Sequence, residues 1–175
     1  MHKVITIIGT TSLLIFILVR GISAIAYEQN ISGHLKLAAD ANSTELAEKQ
    51  LKIAIDEMER LGLCNSHGDE CFTSIIYRTP NEDVGFWRSN IESTFEDLSN
   101  MSKEERANNL IESNQLIKVR ETLLDAGERG DNVTDPAGIS IYPNNGAYAV
   151  WGILSFIFTI IGIALWMRED SYYRW

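Results

Sequence analysis

"AYAVWGILSFIFTIIGIALWM", residues 147–167, runs for 21 positions without a charged side chain. A helix needs about 20 apolar residues to cross the hydrocarbon core of a bilayer. The alternative is a buried helix of a soluble domain, but such helices seldom lack charged positions for so long. The stretch therefore predicts a transmembrane helix over residues 147–167.

The N-terminus carries a second apolar run, "VITIIGTTSLLIFILV", with 16 uncharged residues at positions 4–19. Continued to Ala26, this run is long enough for another membrane span. The alternative is a cleaved signal peptide, because Ala24 and Ala26 have the spacing of a signal peptidase site just before Tyr27. We predict a retained transmembrane anchor over residues 1–26. Either alternative carries the middle of the chain across the membrane.

The distribution of charge predicts the orientation in the membrane. Residues 27–146 hold 22 acidic and 11 basic side chains, whereas Lys3 precedes the first span and Arg168 and Arg174 follow the second. Positive residues near spans favour the cytoplasmic side. We therefore predict an integral protein of the inner or plasma membrane with both termini cytoplasmic, including the tail 168–175. Residues 27–146 would then be periplasmic or extracellular, and their negative field argues against nucleic acid as a partner.

Helix signals recur between residues 27 and 127. Asn42 and Glu45 have capping-box spacing ahead of a helix that ends at Gly62, and Pro80 introduces another helix. Apolar residues recur at intervals of three and four, which predicts one buried face for each helix. These faces are Ala47, Leu51, Ala54, Met58 and Leu61 in the first helix, and Val84, Trp87, Ile91, Phe95 and Leu98 in the second.

A third helix is predicted from the capping-box pair Ser102 and Glu105 to Gly127. Residues 26–41 are predicted to continue the first span outward as a helix. The inward residues are predicted to be Leu110, Ile117 and Leu124 in the third helix, and Leu35, Leu37 and Ala38 in the outward continuation.

These patterns predict an all-α membrane protein. Two transmembrane helices flank an extracytoplasmic domain, residues 27–127, in which four helical stretches pack as an antiparallel bundle. The β-branched and aromatic stretch "CFTSIIYRTP", residues 71–80, is predicted to be a short extended segment. Residues 128–146 are rich in Gly, Asn, Asp and Pro and predict an irregular connector before the second span.

Cys64 and Cys71 are the only cysteines in the chain. Disulfides persist outside the cytoplasm, so we predict that the two close a small disulfide loop. The alternatives are free thiols or a metal site completed by His67. A metal site needs a fourth ligand or an open position with a purpose, and the chain has no second Cys/His pair. We therefore predict no bound metal.

Catalytic motifs are absent from the sequence. It contains no nucleophile elbow, no P-loop and no dinucleotide fingerprint. Adjacent carboxylates are frequent, but the solvated faces of helices produce such pairs without any catalytic role. We predict that the protein is not an enzyme and uses no cofactor.

Two groups of residues are candidate contact sites. The first, which we call the aromatic–arginine turn, lies around Pro80, because aromatic residues and arginine are enriched at interfaces. The alternative is that its rings cover the core while its arginines pair with local acids. Its members are Tyr77, Arg78, Phe86, Trp87 and Arg88.

The second group is a small-residue seam on one face of the second span, with members at intervals of three and four. Small residues allow another helix to approach closely. The neighbour is either the first span, where Thr6, Gly9 and Thr10 are also small, or a separate membrane protein or second copy. The seam consists of Gly152, Ser155, Thr159 and Gly162.

The architecture limits the expected function. We expect a non-catalytic accessory or scaffold subunit whose acidic helical domain docks on a larger membrane protein complex. The alternative is a ligand-binding or sensory module that signals through a partner protein. In layout alone, two spans around a helical outer domain resemble the sensor half of bacterial chemoreceptors. Eight residues follow Met167, so a signal would have to pass to another protein.

Overall fold

A computed structural model describes residues 2–64, 71–74, 78–127 and 130–172. The chain is mostly helical and divides into two compact units. One comprises Met1–Ala24 with Asn144–Trp175, and we call it the helix-pair unit. The other is Ile25–Pro143, which we call the acidic domain.

Seven α-helices and two short strands form the described structure. A π-helical turn, Glu28–Ser32, lies between the first two helices, and 3₁₀ turns lie at Pro80–Glu82 and Ile139–Ile141. The helices are α1 (His2–Tyr27), α2 (Gly33–Ala39), α3 (Thr44–Arg60), α4 (Val84–Ser99), α5 (Lys103–Arg106), α6 (Asn109–Leu123) and α7 (Asn145–Tyr172); the strands are β1 (Leu124–Gly127) and β2 (Gly130–Val133).

The two apolar runs of the sequence are helical, as predicted. The helical stretches Lys3–Ala39 and Asn145–Arg168 are both long and apolar enough to cross a membrane. Most of their large apolar side chains are exposed within the helix-pair unit. A large contiguous surface of exposed apolar side chains marks a contact with lipid or with another apolar surface. The two candidate membrane-spanning helices therefore fit a membrane protein.

Helix α3 forms almost where the sequence predicts it. Its N-cap is Ser43, whose hydroxyl accepts a hydrogen bond from the Leu46 N–H, so the predicted cap at Asn42 was wrong by one residue. Gly62 ends the helix as predicted, with φ of +64°, a conformation that glycine adopts without strain. That turn leaves Leu61 exposed, contrary to prediction, and buries Leu63 in its place.

Helix α4 buries four of its five predicted inward residues, and the fifth, Phe95, is partly buried. Asp83 is the N-cap, and its carboxylate accepts hydrogen bonds from the backbone of Gly85 and Phe86. The core of the acidic domain is built by apolar side chains from α2, α3, α4 and α6. The most deeply buried of them, together with Ile31 of the π-helical turn, are Leu35, Ala38, Ala47, Leu51, Ala54, Met58, Val84, Ile91, Leu98, Val119 and Leu123.

The third predicted helix is interrupted. The capping box of Ser102 and Glu105 is present, but α5 has only four residues, and Asn108 then caps α6 anew. Each residue turns a helix by about 100°, so the break changes which face of α6 points inward. Leu110 and Ile117 are 71% and 55% exposed, contrary to prediction. The buried residues are Val119 and Leu123 instead.

Other predictions were wrong in this region and on α2. The helix ends at Leu123, and residues 124–127 form β1, which pairs antiparallel with β2 inside the predicted irregular connector. The fold is therefore not purely helical. Leu37 is exposed on α2, although Leu35 and Ala38 are buried as predicted. Within 71–80, the described residues show one isolated bridge, between Phe72 and Asp83.

Candidate functional site

The small-residue seam of α7 lies against α1. A Cβ on Gly162 would stand 2.7 Å from the Thr6 Cα, and a Cβ on Gly9 would stand 2.8 Å from the Thr159 nitrogen. Real Cβ atoms essentially never approach backbone so closely, so these glycines are where the two helix backbones meet. At Gly152 the nearest neighbour is the ring of Phe16.

Polar and aromatic contacts continue the same interface. The hydroxyls of Ser12 and Ser155 are 2.7 Å apart, and the indole N–H of Trp151 donates to the Ser12 hydroxyl at 3.0 Å. The Phe16 ring meets Trp151 edge to face, with ring centroids 5.6 Å apart. Tyr148 completes this aromatic cluster. Successive contacts move toward the N-terminus of α1 as they move toward the C-terminus of α7. The two helices therefore run antiparallel.

The seam therefore has a neighbour within its own chain. Of the alternatives that the sequence left open, the structure shows contact with the first apolar helix. A separate membrane protein or second copy at these four residues stays a prediction. The apolar side chains that remain exposed on the helix pair, such as Ile7, Leu14 and Phe156, are available for contact with other molecules.

The aromatic–arginine turn divides into buried and exposed members. Trp87 is 8% exposed and its indole N–H donates to the Thr134 carbonyl, whereas the adjacent Phe86 is 64% exposed. Arg88 is 4% exposed. Arg78 is exposed, and Tyr77 lies outside the described residues. The five residues are therefore not one exposed surface, and among the rings of Phe86 and Trp87 only that of Phe86 is mostly accessible.

Arg88 has a structural role. Its guanidinium donates to the Glu92 carboxylate at 2.6 Å and to the Leu63 carbonyl at 2.6 Å. The second hydrogen bond ties α4 to the residue before Cys64. Both contacts of Arg88 are made within the acidic domain. For this arginine, they agree with the alternative in which the arginines of the turn pair locally.

Cys64 and Cys71 stand at disulfide distance, with Cα atoms 6.2 Å apart. Cα separations of about 4.4–6.8 Å are usual for a disulfide. The pair suggests an oxidising compartment. The metal alternative depends on His67, which lies outside the described residues. Among the residues that are described, no three His, Cys, Asp or Glu side chains are grouped as metal ligands.

A cleft of about 470 Å³ opens in the acidic domain beside Phe86. Ligand pockets commonly have volumes of about 300–1,000 Å³. Its walls come from the start of α4, from β1 and from the segment that follows β2. The lining residues are Pro80, Asn81, Asp83, Phe86, Trp87, Asn90, Asp125, Thr134, Asp135, Pro136 and Ala137.

Three aspartates line this cleft, and no described Lys, Arg or His side chain does. The Asp83 carboxylate caps α4, where it accepts hydrogen bonds from the backbone N–H groups of Gly85 and Phe86. Asp125 is exposed and forms no ion pair with the described residues. Partial burial raises the pKa of the Asp135 carboxyl above its usual range; the Tyr27 hydroxyl partly offsets this rise, and the negative charge of Glu28 adds to it.

Sequence reasoning missed most of this cleft. It singled out Phe86 and Trp87 but not Asp125 or Asp135, which lay in a predicted helix and a predicted connector. The β1–β2 pairing brings Asp125 and the segment after β2 to the same place as the α4 N-terminus. The available signal was the turn sequence "TDPAG" at 134–138, in which Asp135 precedes a proline.

Comparison of this chain with protein-family models, with curated proteins and with solved structures finds no match.

Proposed function

We propose that this protein is a non-catalytic, membrane-anchored accessory subunit whose acidic domain docks on a larger membrane protein complex through the cleft beside Phe86. The observation that carries this proposal is Phe86 itself. Its ring is 64% exposed and lines the cleft, so it is accessible to a partner. Aromatic residues at such positions frequently anchor protein–protein contacts.

The helix pair supports the anchoring part of the proposal. Its two apolar helices fit a membrane protein, and their mutual contact uses the small residues of both. A pair that packs on itself does not depend on a partner for its association. Docking on the complex is therefore assigned to the acidic domain, and the outward apolar side chains of the pair are left for lipid or for adjacent spans.

We also propose that residues 27–146 are extracytoplasmic and that both termini are cytoplasmic. The charge bias around the apolar runs supports this orientation. The cysteine pair at disulfide distance supports it independently, because disulfides persist in oxidising compartments.

The unaltered chain tests the orientation, because it has only two cysteines. When intact cells are treated with a membrane-impermeant maleimide, we expect the protein to remain unlabelled, because cysteines in a disulfide do not react. After a membrane-impermeant reductant, both thiols should react, since the reductant reaches an extracytoplasmic disulfide. Mass spectrometry of the purified chain counts the labels. Labelling without the reductant would contradict the disulfide, and labelling only after cell lysis would contradict the orientation.

Docking is tested by placing a photo-crosslinking amino acid at Phe86. Because the ring is exposed, the replacement should leave the domain folded, and illumination of intact membranes should yield one discrete adduct with an integral membrane protein. The same amino acid at Leu61, which is exposed on the turn after α3 and does not line the cleft, is the matched control. Equal adducts from both positions, or none from position 86, would refute docking at this cleft.

The cleft also favours the second candidate function, a ligand-binding or sensory module. Its volume suits a small ligand. The core of the acidic domain is closely filled by apolar side chains, so a ligand would bind at the cleft rather than between the helices. A specific small-molecule ligand that displaces the crosslinked partner would favour this alternative.

A further inference from the structure

We propose that the helix pair binds one anionic phospholipid, with an acyl chain in an apolar groove between α1 and α7 and the headgroup phosphate at Lys3 and Arg168. This inference rests on the anchoring part of the proposed function and adds a specific lipid to that anchor. The apolar groove has a volume of about 260 Å³ and is lined by Ile5, Ile8, Phe158 and Ile161.

The close contact between the two helices accounts for the apolar groove. Each lining residue immediately precedes a residue of that contact, as Ile8 precedes Gly9 and Ile161 precedes Gly162. Glycine brings the two backbones together without filling the space beside them, because it has no side chain. The groove therefore lies along one side of the contact, with bulky apolar side chains as its walls.

These walls suit an acyl chain better than another helix. All the lining residues are apolar, so their side chains offer no hydrogen bond to a polar ligand. Helices that associate within lipid use small residues, which let backbones approach, whereas isoleucine and phenylalanine hold a second backbone away. A flexible hydrocarbon chain fits between such side chains. Both helices are also long and apolar enough to lie among lipids.

Basic residues lie at one end of the apolar groove. Because α1 and α7 run antiparallel, the N-terminus of α1 and the C-terminus of α7 are at the same end of the pair. Lys3 precedes Ile5 by two residues, and Arg168 follows Ile161 by seven, which is about 10 Å along a helix. Both basic side chains are exposed, and neither forms an ion pair with the residues that the structure describes.

These charges favour an anionic headgroup. Lysine and arginine near a membrane surface attract anionic lipids, and arginine can bind phosphate through two parallel hydrogen bonds. Trp166, between the groove and Arg168 in the sequence, is exposed, and tryptophan is enriched at the headgroup level of a bilayer. Two acids follow Arg168, so the net charge of this end is small. The preference therefore depends on the two basic side chains rather than on total charge.

The binding experiment uses the full chain released from nanodiscs that contain equal amounts of phosphatidylglycerol and phosphatidylcholine with the same acyl chains. Native mass spectrometry counts the lipids that stay bound and distinguishes the two by mass. We expect one phosphatidylglycerol to be retained, with a preference of about fivefold or more over phosphatidylcholine. Equal retention of the two lipids would overturn the inference.

The headgroup variant is Lys3→Gln with Arg168→Gln, which should reduce the preference to about twofold or less. Its control, Lys36→Gln with Lys52→Gln, removes the same charge at exposed positions of the acidic domain and should keep the preference. An equal loss in both variants would overturn the inference, because the attraction would then be a general effect of charge.

The groove variant is Ile8→Ala with Phe158→Ala, which removes two walls and should lower the retention of phosphatidylglycerol about threefold or more. Its control, Ile7→Ala with Phe156→Ala, removes the same side chains at exposed positions that do not line the groove and should leave retention nearly unchanged. Unchanged retention in the groove variant would overturn the acyl-chain site. If the double variant does not fold, Ile8→Ala alone serves, because Ile8 is exposed.

The two proposals fail in distinguishable ways. A chain that alkaline carbonate extracts from membranes would contradict the anchor and, with it, this inference. A chain that resists extraction but retains both lipids equally would preserve the anchor and overturn only the lipid site.

Discussion

Replacing Gly162 or Gly9 with leucine is expected to separate the two apolar helices. A side chain at either position would meet the backbone of the opposite helix, at 2.7 Å from the Thr6 Cα or 2.8 Å from the Thr159 nitrogen. Backbone cannot rotate away as a side chain can. Overpacking of this kind typically costs about 1–3 kcal/mol, which is roughly a 5- to 150-fold loss of association.

The measurement is oxidative crosslinking of Ser12→Cys with Ser155→Cys, whose hydroxyls are 2.7 Å apart in the unaltered chain. The crosslinked fraction should fall several-fold in either leucine variant. Gly21→Leu is the matched control, because a Cβ there would meet nothing within 4 Å. Gly152→Ala should give an intermediate result, since the ring of Phe16 can move. Full crosslinking in the Gly162 and Gly9 variants would contradict the packing described for α1 and α7.

Trp87→Ala is expected to destabilise the acidic domain by about 3–5 kcal/mol. The variant opens a cavity in the core and leaves the Thr134 carbonyl without its indole donor. For a domain of this size, the melting temperature should fall by about 10–20 °C. Trp87→Phe keeps most of the buried ring and isolates the lost hydrogen bond, which should cost about 1–2 kcal/mol.

Phe86→Ala is the control, because it truncates the neighbouring aromatic residue, which is 64% exposed. Its melting temperature should stay within a few degrees of the unaltered chain. Thermal melts of all three variants, followed by circular dichroism, provide the comparison. A Phe86→Ala variant as unstable as Trp87→Ala would show that the exposed ring is part of the core. A Trp87→Ala variant with an unchanged melt would contradict the burial of the indole.

The contrast between adjacent aromatic residues marks the limit of sequence reasoning at this site. An interval of three or four residues places Trp87 on the inner face of α4 with Val84 and Ile91, and that prediction is correct. The same pattern says nothing about Phe86 or Arg88. Arg88 is buried because the Glu92 carboxylate, one turn further along α4, and the Leu63 carbonyl accept its hydrogen bonds; only the contact with Leu63 depends on the folded chain.

The α6 region shows a related limit. Leu110 and Ile117 have the spacing of a buried face, yet both are exposed. Asn108 competes locally by capping a new helix, so the turn from α5 to α6 shifts the face that packs inward. Periodicity is a property of one helix, whereas burial depends on where its neighbours lie.

The sequence by itself determined the two apolar helices, the end of α3 at Gly62, most of the inner faces of α3 and α4, and the approach of Cys64 to Cys71. Each of these follows from residues close together in the chain, through apolar periodicity, capping hydrogen bonds or short loop closure. Only the tertiary structure decided that the small-residue seam meets α1, that residues 124–133 form a hairpin, and that Asp125, Asp135 and Phe86 share a cleft. These features join residues distant in sequence, and such contacts depend on the packing of the whole chain rather than on any local pattern.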